Sequence, residues 1–120
     1  MSNCRLEILK IPFECEYIVQ GNAISKTVFR IVDNPLGLDF TTDIVEICVK
    51  NGNQKLIDIK TGDGITVNSA TEFEIDEVPA TENNFPHGKF IGDFDILKDG
   101  LEENRFTYSR VQYTIIKKEC

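Results

Sequence analysis

Short apolar–polar alternations separated by turn residues run through this chain at intervals of about ten residues, and no segment holds a helical period for three turns. The longest alternation is at the start. Leu9, Ile11, Phe13, Cys15, Tyr17 and Val19 share one parity, with Lys10, Pro12, Glu14, Glu16 and Gln20 on the other, which predicts a half-buried strand. Pro12 has no amide to give to a ladder, so this strand is expected at an edge or broken near the proline. Leu6 and Ile8 fall on the opposite parity from Leu9 and Ile11, which predicts a bulge or a change of sheet between them.

Further alternations follow. Ser25 to Val32 is largely apolar on both faces, with Arg30 the exception, and is expected at a central position. The turn-rich stretch Asn34 to Asp43 carries Leu36, Leu38 and Phe40 and is expected to plug one end of the core. Val45, Ile47 and Val49 pair with Ile57 and Ile59 across an Asn51-Gly52 hairpin signal. A turn at Thr61 to Gly64, short strands over Ile65 to Asn68 and around Phe73 and Ile75, and a long loop from Glu77 to Gly88 anchored by Phe85 come next. Phe90, Phe94 and Ile96 face away from Asp93 and Asp95, and the last strand runs through Val111, Tyr113 and Ile115. The expected fold is all-β, an antiparallel two-sheet sandwich over residues 21–120, with residues 1–20 as a strand extension that reaches outside it.

Composition agrees with strands. Fifteen Ile, eight Val and nine Thr outnumber seven Leu and three Ala, and β-branched side chains favour the pleated surface. The 120 residues carry 13 basic and 20 acidic side chains, a net charge of −7, which disfavours nucleic acid and anionic membrane as partners. No basic and apolar leader opens the sequence and no run of eighteen apolar residues occurs, so neither export nor a membrane span is expected. Cys4, Cys15, Cys48 and Cys120 are then expected as free thiols, Cys48 packing within its strand.

The sequence offers little chemistry. A structural zinc site lacks its spacing, with no CxxC pair and a single histidine. Asp93, Asp95, Asp99 and Gly100 approach a calcium loop, but Leu97 stands where a ligand is needed, and the alternation with Phe94 fits a solvated sheet face. The Thr61 to Gly64 turn lacks the lysine–hydroxyl pair of a phosphate loop. Asp39 and Asp43 form a carboxylate pair of the kind that hydrolyses glycosides, without the Trp that builds a sugar platform. His87 has neither a nucleophile nor an orienting acid signature around it. Neither an enzyme nor a metal or other cofactor is expected.

One resemblance covers about residues 24 to 116. Lys26-Thr27-Val28-Phe29-Arg30 and Pro35-Leu36-Gly37-Leu38-Asp39-Phe40-Thr41 lead into Val45 to Gly52. Gly62-Asp63-Gly64-Ile65-Thr66-Val67, Phe73-Glu74-Ile75-Asp76 and Phe85-Pro86-His87-Gly88-Lys89-Phe90-Ile91-Gly92-Asp93-Phe94-Asp95-Ile96 follow. This order resembles a family of immunoglobulin-like β-sandwich proteins of tailed bacteriophages, which includes the N-terminal module of baseplate upper proteins and small head and tail proteins. Phe90 stands where that family often has Tyr, and residues 1–20 are an addition.

The resemblance implies a non-enzymatic virion component made in the host bacterial cytoplasm. With the acidic charge, it favours an auxiliary or decorating protein on the capsid exterior that contacts other virion proteins; a homo-oligomer is compatible with it. A tail or baseplate attachment module and a carbohydrate-binding adhesion domain are the alternatives. The expected contact residues are Leu9, Ile11, Phe13, Tyr17 and Val19 on the N-terminal strand and Phe85 and His87 in the long loop.

Overall fold

The computed structural model describes residues 3–6 and 12–14 at the level of the backbone and residues 18–31, 34 and 36–118 in full. Among the described residues ten strands run in chain order: β1 (Asn3–Leu6), β2 (Pro12–Glu14), β3 (Ile18–Val19), β4 (Thr27–Ile31) and β5 (Ile44–Asn51), then β6 (Gln54–Thr61), β7 (Gly64–Ser69), β8 (Glu72–Ile75), β9 (Gly88–Leu97) and β10 (Arg105–Ile116). The only helical segments among the described residues are 3-10 turns at Ala80–Glu82, Lys98–Gly100 and Glu102–Asn104. The protein is all-β, as the alternations require.

The strands form one hydrogen-bonded path, β1-β4-β8-β7-β6-β5-β9-β10-β2, with β3 also on β10, where two separate sheets were expected. That path is strongly curled. Phe73 on β8 and Phe94 on β9 lie four strands apart along it, about 19 Å in a flat sheet, yet their ring centroids are 5.8 Å apart. The ends of the path tell the same story. β1 lies along β4 and β2 along β10, and the chain between Leu6 and Pro12 can span at most roughly 20 Å. A flat sheet would hold those ends roughly 38 Å apart.

Pairing is mixed. The β4–β8, β7–β8, β5–β6, β5–β9 and β9–β10 ladders are antiparallel. The parallel pairs are those of the N-terminal strands with β4 and β10, together with the corner between β6 and β7. At the corner only Lys60↔Gly64 and Thr61↔Ile65 pair, because the tight turn sends the chain away from β6 almost at once. Gly64 makes the turn possible. Its φ is +92°, and a Cβ there would lie 2.5 Å from Ile59 Cγ2.

Curling places the inward side chains in one core. Phe29, Phe40, Phe73 and Phe94 are buried in contact, stacked at 5.2 Å for Phe29 with Phe73 and edge-on at 5.0 Å for Phe40 with Phe73. Val45, Ile47 and Val49 of β5, Ile65 of β7 and Ile96 of β9 complete it, all at most 1% exposed. Leu38 and Phe40 of the 34–43 loop are buried as a plug, whereas Leu36 is half exposed.

Several local expectations shift. The two residues between β5 and β6 are Gly52 and Asn53, one place later than the Asn51-Gly52 signal, with Gly52 at φ +63° and a bulge at Val49/Lys50. β4 lies one strand in from the end of the path, flanked by β8 and β1. The long N-terminal strand is represented by β2 and β3, with Cys15 to Tyr17 outside the described residues; β2 begins at Pro12 and ends the path, where a missing amide costs least. β10 contains a bulge at Tyr108, which turns Phe106 and Tyr108 inward before it and Val111, Tyr113 and Ile115 inward after it.

Candidate functional site

The main concavity is a cleft of about 470 Å³. Four consecutive residues of β6, Leu56 to Ile59, line it, and neighbouring side chains of opposite parity can be offered together only by the edge of a strand. Ile75 to Val78, at and beyond the end of β8, line it as well, as do Phe29, Val111 and Tyr113 from the core side. Most of this wall is apolar. Tyr113 adds a phenol to the lining, and burial pushes its ionisation above the ordinary tyrosine value.

The edge of β6 is open for a definite reason. Lys60 donates its amide to the Asp63 carbonyl and accepts from the Asp63 amide, both on the side away from β5. By the period of two, Asp58 turns its own N–H and C=O to that side. The β6–β7 ladder is confined to Lys60 and Thr61, so among the described residues no strand pairs with Asp58 there. The rim is acidic: Asp58, Asp76 and Glu77 border the cleft, and the nearby Lys26 ammonium lies 3.8 Å from Glu74.

The expected contact residues divide into three groups. Val19 and Phe85 both line the cleft, and two side chains bring them together: Asn83 donates through Nδ2 to the carbonyls of Val19 (2.9 Å) and Asn22 (2.8 Å), and Gln20 donates through Nε2 to the Phe85 carbonyl (2.8 Å). Phe13 stands opposite Val111 in the β2–β10 register, and His87 is exposed on the loop before β9. Leu9, Ile11 and Tyr17 lie outside the described residues. Sequence reading missed the β6 edge and Tyr113 as a cleft residue; it placed Asn83 in the contact loop but not its structural role, for this side chain is 2% exposed and carries a buried Oδ1 with no hydrogen-bond partner among the described residues.

The carboxylates of Asp39, Asp43 and Asp95 are engaged in structural hydrogen bonds. Asp43 is fully buried and accepts the amides of Asp39 (2.9 Å) and Asp99 (2.8 Å) and the Lys98 ammonium (3.2 Å). Asp39 accepts both the hydroxyl and the amide of Thr41. These two carboxylates organise a loop. Asp95 takes Arg105 at 2.9 Å and Thr107 at 2.8 Å, and Arg105 also reaches Glu46 and Glu102, a set of partners that raises the guanidinium pKa. Cys48 faces the outer side, between Asp58 and Asp93 in register, and is not part of the core. Among the described residues no group of three or more His, Cys, Asp or Glu is gathered to hold a metal ion.

Three exposed carboxyls ionise more readily in the folded state than their ordinary values of 3.8 and 4.5: Asp39 through Thr41, Glu72 through Arg30 and Asn68, and Glu102 through Arg105. A depressed folded pKa contributes stability that is present above the unfolded value and lost as pH falls through the folded one. The melting temperature is therefore expected to decline as pH drops below 4.5. An Arg30→Ala chain, melted over the same series, should decline less steeply because Glu72 has lost its main partner.

Compared with known proteins, the chain matches no protein-family model, and a search of curated proteins found no match either. Fold and cleft define the class: an acidic all-β domain, its sheet curled around a phenylalanine core, with an apolar cleft beside an unpaired strand edge.

Proposed function

We propose that this chain is a non-enzymatic structural protein of a tailed-phage virion, carried as an auxiliary protein on the outside of the capsid. The supporting observation concerns which residues carry the phage-like pattern. Gly64, Ile65, Phe73, Phe94 and Ile96 are the corner glycine and four of the most deeply buried side chains, so the shared pattern coincides with the residues that determine the fold. On this reading the curled sheet is an immunoglobulin-like sandwich whose two halves stay joined at the β6–β7 corner. The net charge of −7 favours the exterior, away from packaged DNA.

Gold-labelled antibody against this chain, applied to purified virions of the phage that encodes it, is the direct test. Label over the capsid is the expected result. Particles without label would overturn the virion reading, and label confined to the tail would replace the capsid position with a tail or baseplate one.

A further inference from the structure

We infer that the cleft beside β6 accepts an extended peptide segment from another protein, apolar at alternate positions and flanked by basic residues, which adds to the sheet as a strand. The edge supplies the backbone half of this recognition. Among the described residues the N–H and C=O that Asp58 turns away from β5 have no strand partner, and an incoming strand satisfies such groups while its alternate side chains turn inward. The cleft supplies the other half. Its 470 Å³ is bordered by Ile57, Ile59, Ile75, Val78 and Phe85, which suits two or three branched aliphatic side chains and offers little to a charged one.

Charge selects the flanks. Asp58, Asp76 and Glu77 stand at the rim with Lys26; Asp58 is paired with the Lys55 ammonium at 3.2 Å and Lys26 has Glu74 nearby, so the uncompensated charge is that of Asp76 and Glu77. Asp76 accepts from Thr66, but among the described residues neither Asp76 nor Glu77 has an ion-pair partner. A lysine or arginine at the end of the incoming segment meets unpaired negative charge, and an acidic segment meets repulsion. This inference rests on the edge, the cleft and the rim and does not require the virion reading.

The test is a titration of the full isotopically labelled chain with the peptide Lys-Ile-Thr-Val-Thr-Ile-Lys, followed by amide shifts and hydrogen exchange. Saturable shifts are expected across Leu56 to Ile59, with exchange at the Asp58 amide slowed at least tenfold. A peptide of the same composition with its apolar residues contiguous should bind at least tenfold more weakly. The exposed double substitution Asp76→Lys with Glu77→Lys should weaken binding about fivefold, with an unchanged folded spectrum. No saturation at millimolar peptide, equal binding of the rearranged peptide, or shifts lying elsewhere would overturn the inference. Binding together with unlabelled virions would leave it standing and remove only the proposed location.

Discussion

Gly92→Ala is expected to cost about 3 kcal/mol and to lower the melting temperature by roughly 10 °C. Gly92 lies on the inward parity of β9 between Phe90 and Phe94, where an alternating strand calls for a side chain. There is no room for one. A Cβ would press on the Cys48 carbonyl oxygen and sit 2.7 Å from both Cα and Cγ2 of Val49. Those atoms belong to β5, which pairs Val49 with Gly92 as the β5–β9 ladder ends, while β10 pairs Val111 with Gly92 on the other side. Held between two neighbours, the β9 backbone has no free direction in which to relax, so the methyl must push strands apart. The exposed neighbour gives the control: Asp93→Ala should stay within about 0.5 kcal/mol. Urea melts of both variants decide the matter, and a loss below about 1 kcal/mol for Gly92→Ala would show that β5 yields after all.

How much of this was legible in the sequence depends on the range of the contacts. The β5–β6 hairpin could be read because its strands are neighbours in sequence and each buries one face; only its turn moved by one residue, which the bulge at Val49/Lys50 absorbs. The alternation in β9 was equally plain. β10 was read only in its second half, since one inserted residue at Tyr108 reverses the parity and leaves two short patterns that do not add. The curl was not readable at all, because it depends on Phe73 meeting Phe94 across three intervening strands.

The cleft illustrates a different limit. Leu56, Ile57, Asp58 and Ile59 have the composition of any half-buried strand, and nothing in them announces that one backbone edge goes unpaired. That edge exists because the β6–β7 corner turns within two residues, a property of Gly62 to Gly64 and not of β6 itself. Val19 and Phe85, named as contact residues for unrelated reasons, meet at the same cleft because Asn83 and Gln20 tie their backbones together. Asn83 was seen only as a loop residue, since a polar side chain that spends its donors on distant carbonyls leaves no local pattern.

Asp43→Ala is expected to destabilise the protein by about 3 kcal/mol, on the order of the cost of leaving buried hydrogen-bond donors without their acceptor. The carboxylate is fully buried and joins two segments far apart in sequence: it takes the Asp39 amide within the 34–43 loop and the Asp99 amide in the turn after β9, with Lys98 closing the set. Asp99 is the one described non-glycine residue at positive φ, +57°, and the hydrogen bond its N–H donates to the Asp43 carboxylate holds that conformation in place. Removing the carboxylate leaves two amides without their acceptor and Lys98 with the Gly37 carbonyl alone, and the conformational cost at Asp99 is no longer offset. Asp43→Asn keeps one carbonyl oxygen but turns an NH2 toward a donor, so it should fall between, at about 2 kcal/mol. The damage should spread to the plug. Leu38 and Phe40 sit between Asn34 and Asp43, with the Phe40 amide bonded to the Ala70 carbonyl at 2.9 Å. Hydrogen exchange at Phe40 should therefore accelerate in Asp43→Asn more than exchange at Ile47 in the centre of β5. Equal acceleration at both would mean that the loop opens only with the whole sheet, and a melting temperature unchanged in Asp43→Ala would show that this carboxylate does not anchor the loop.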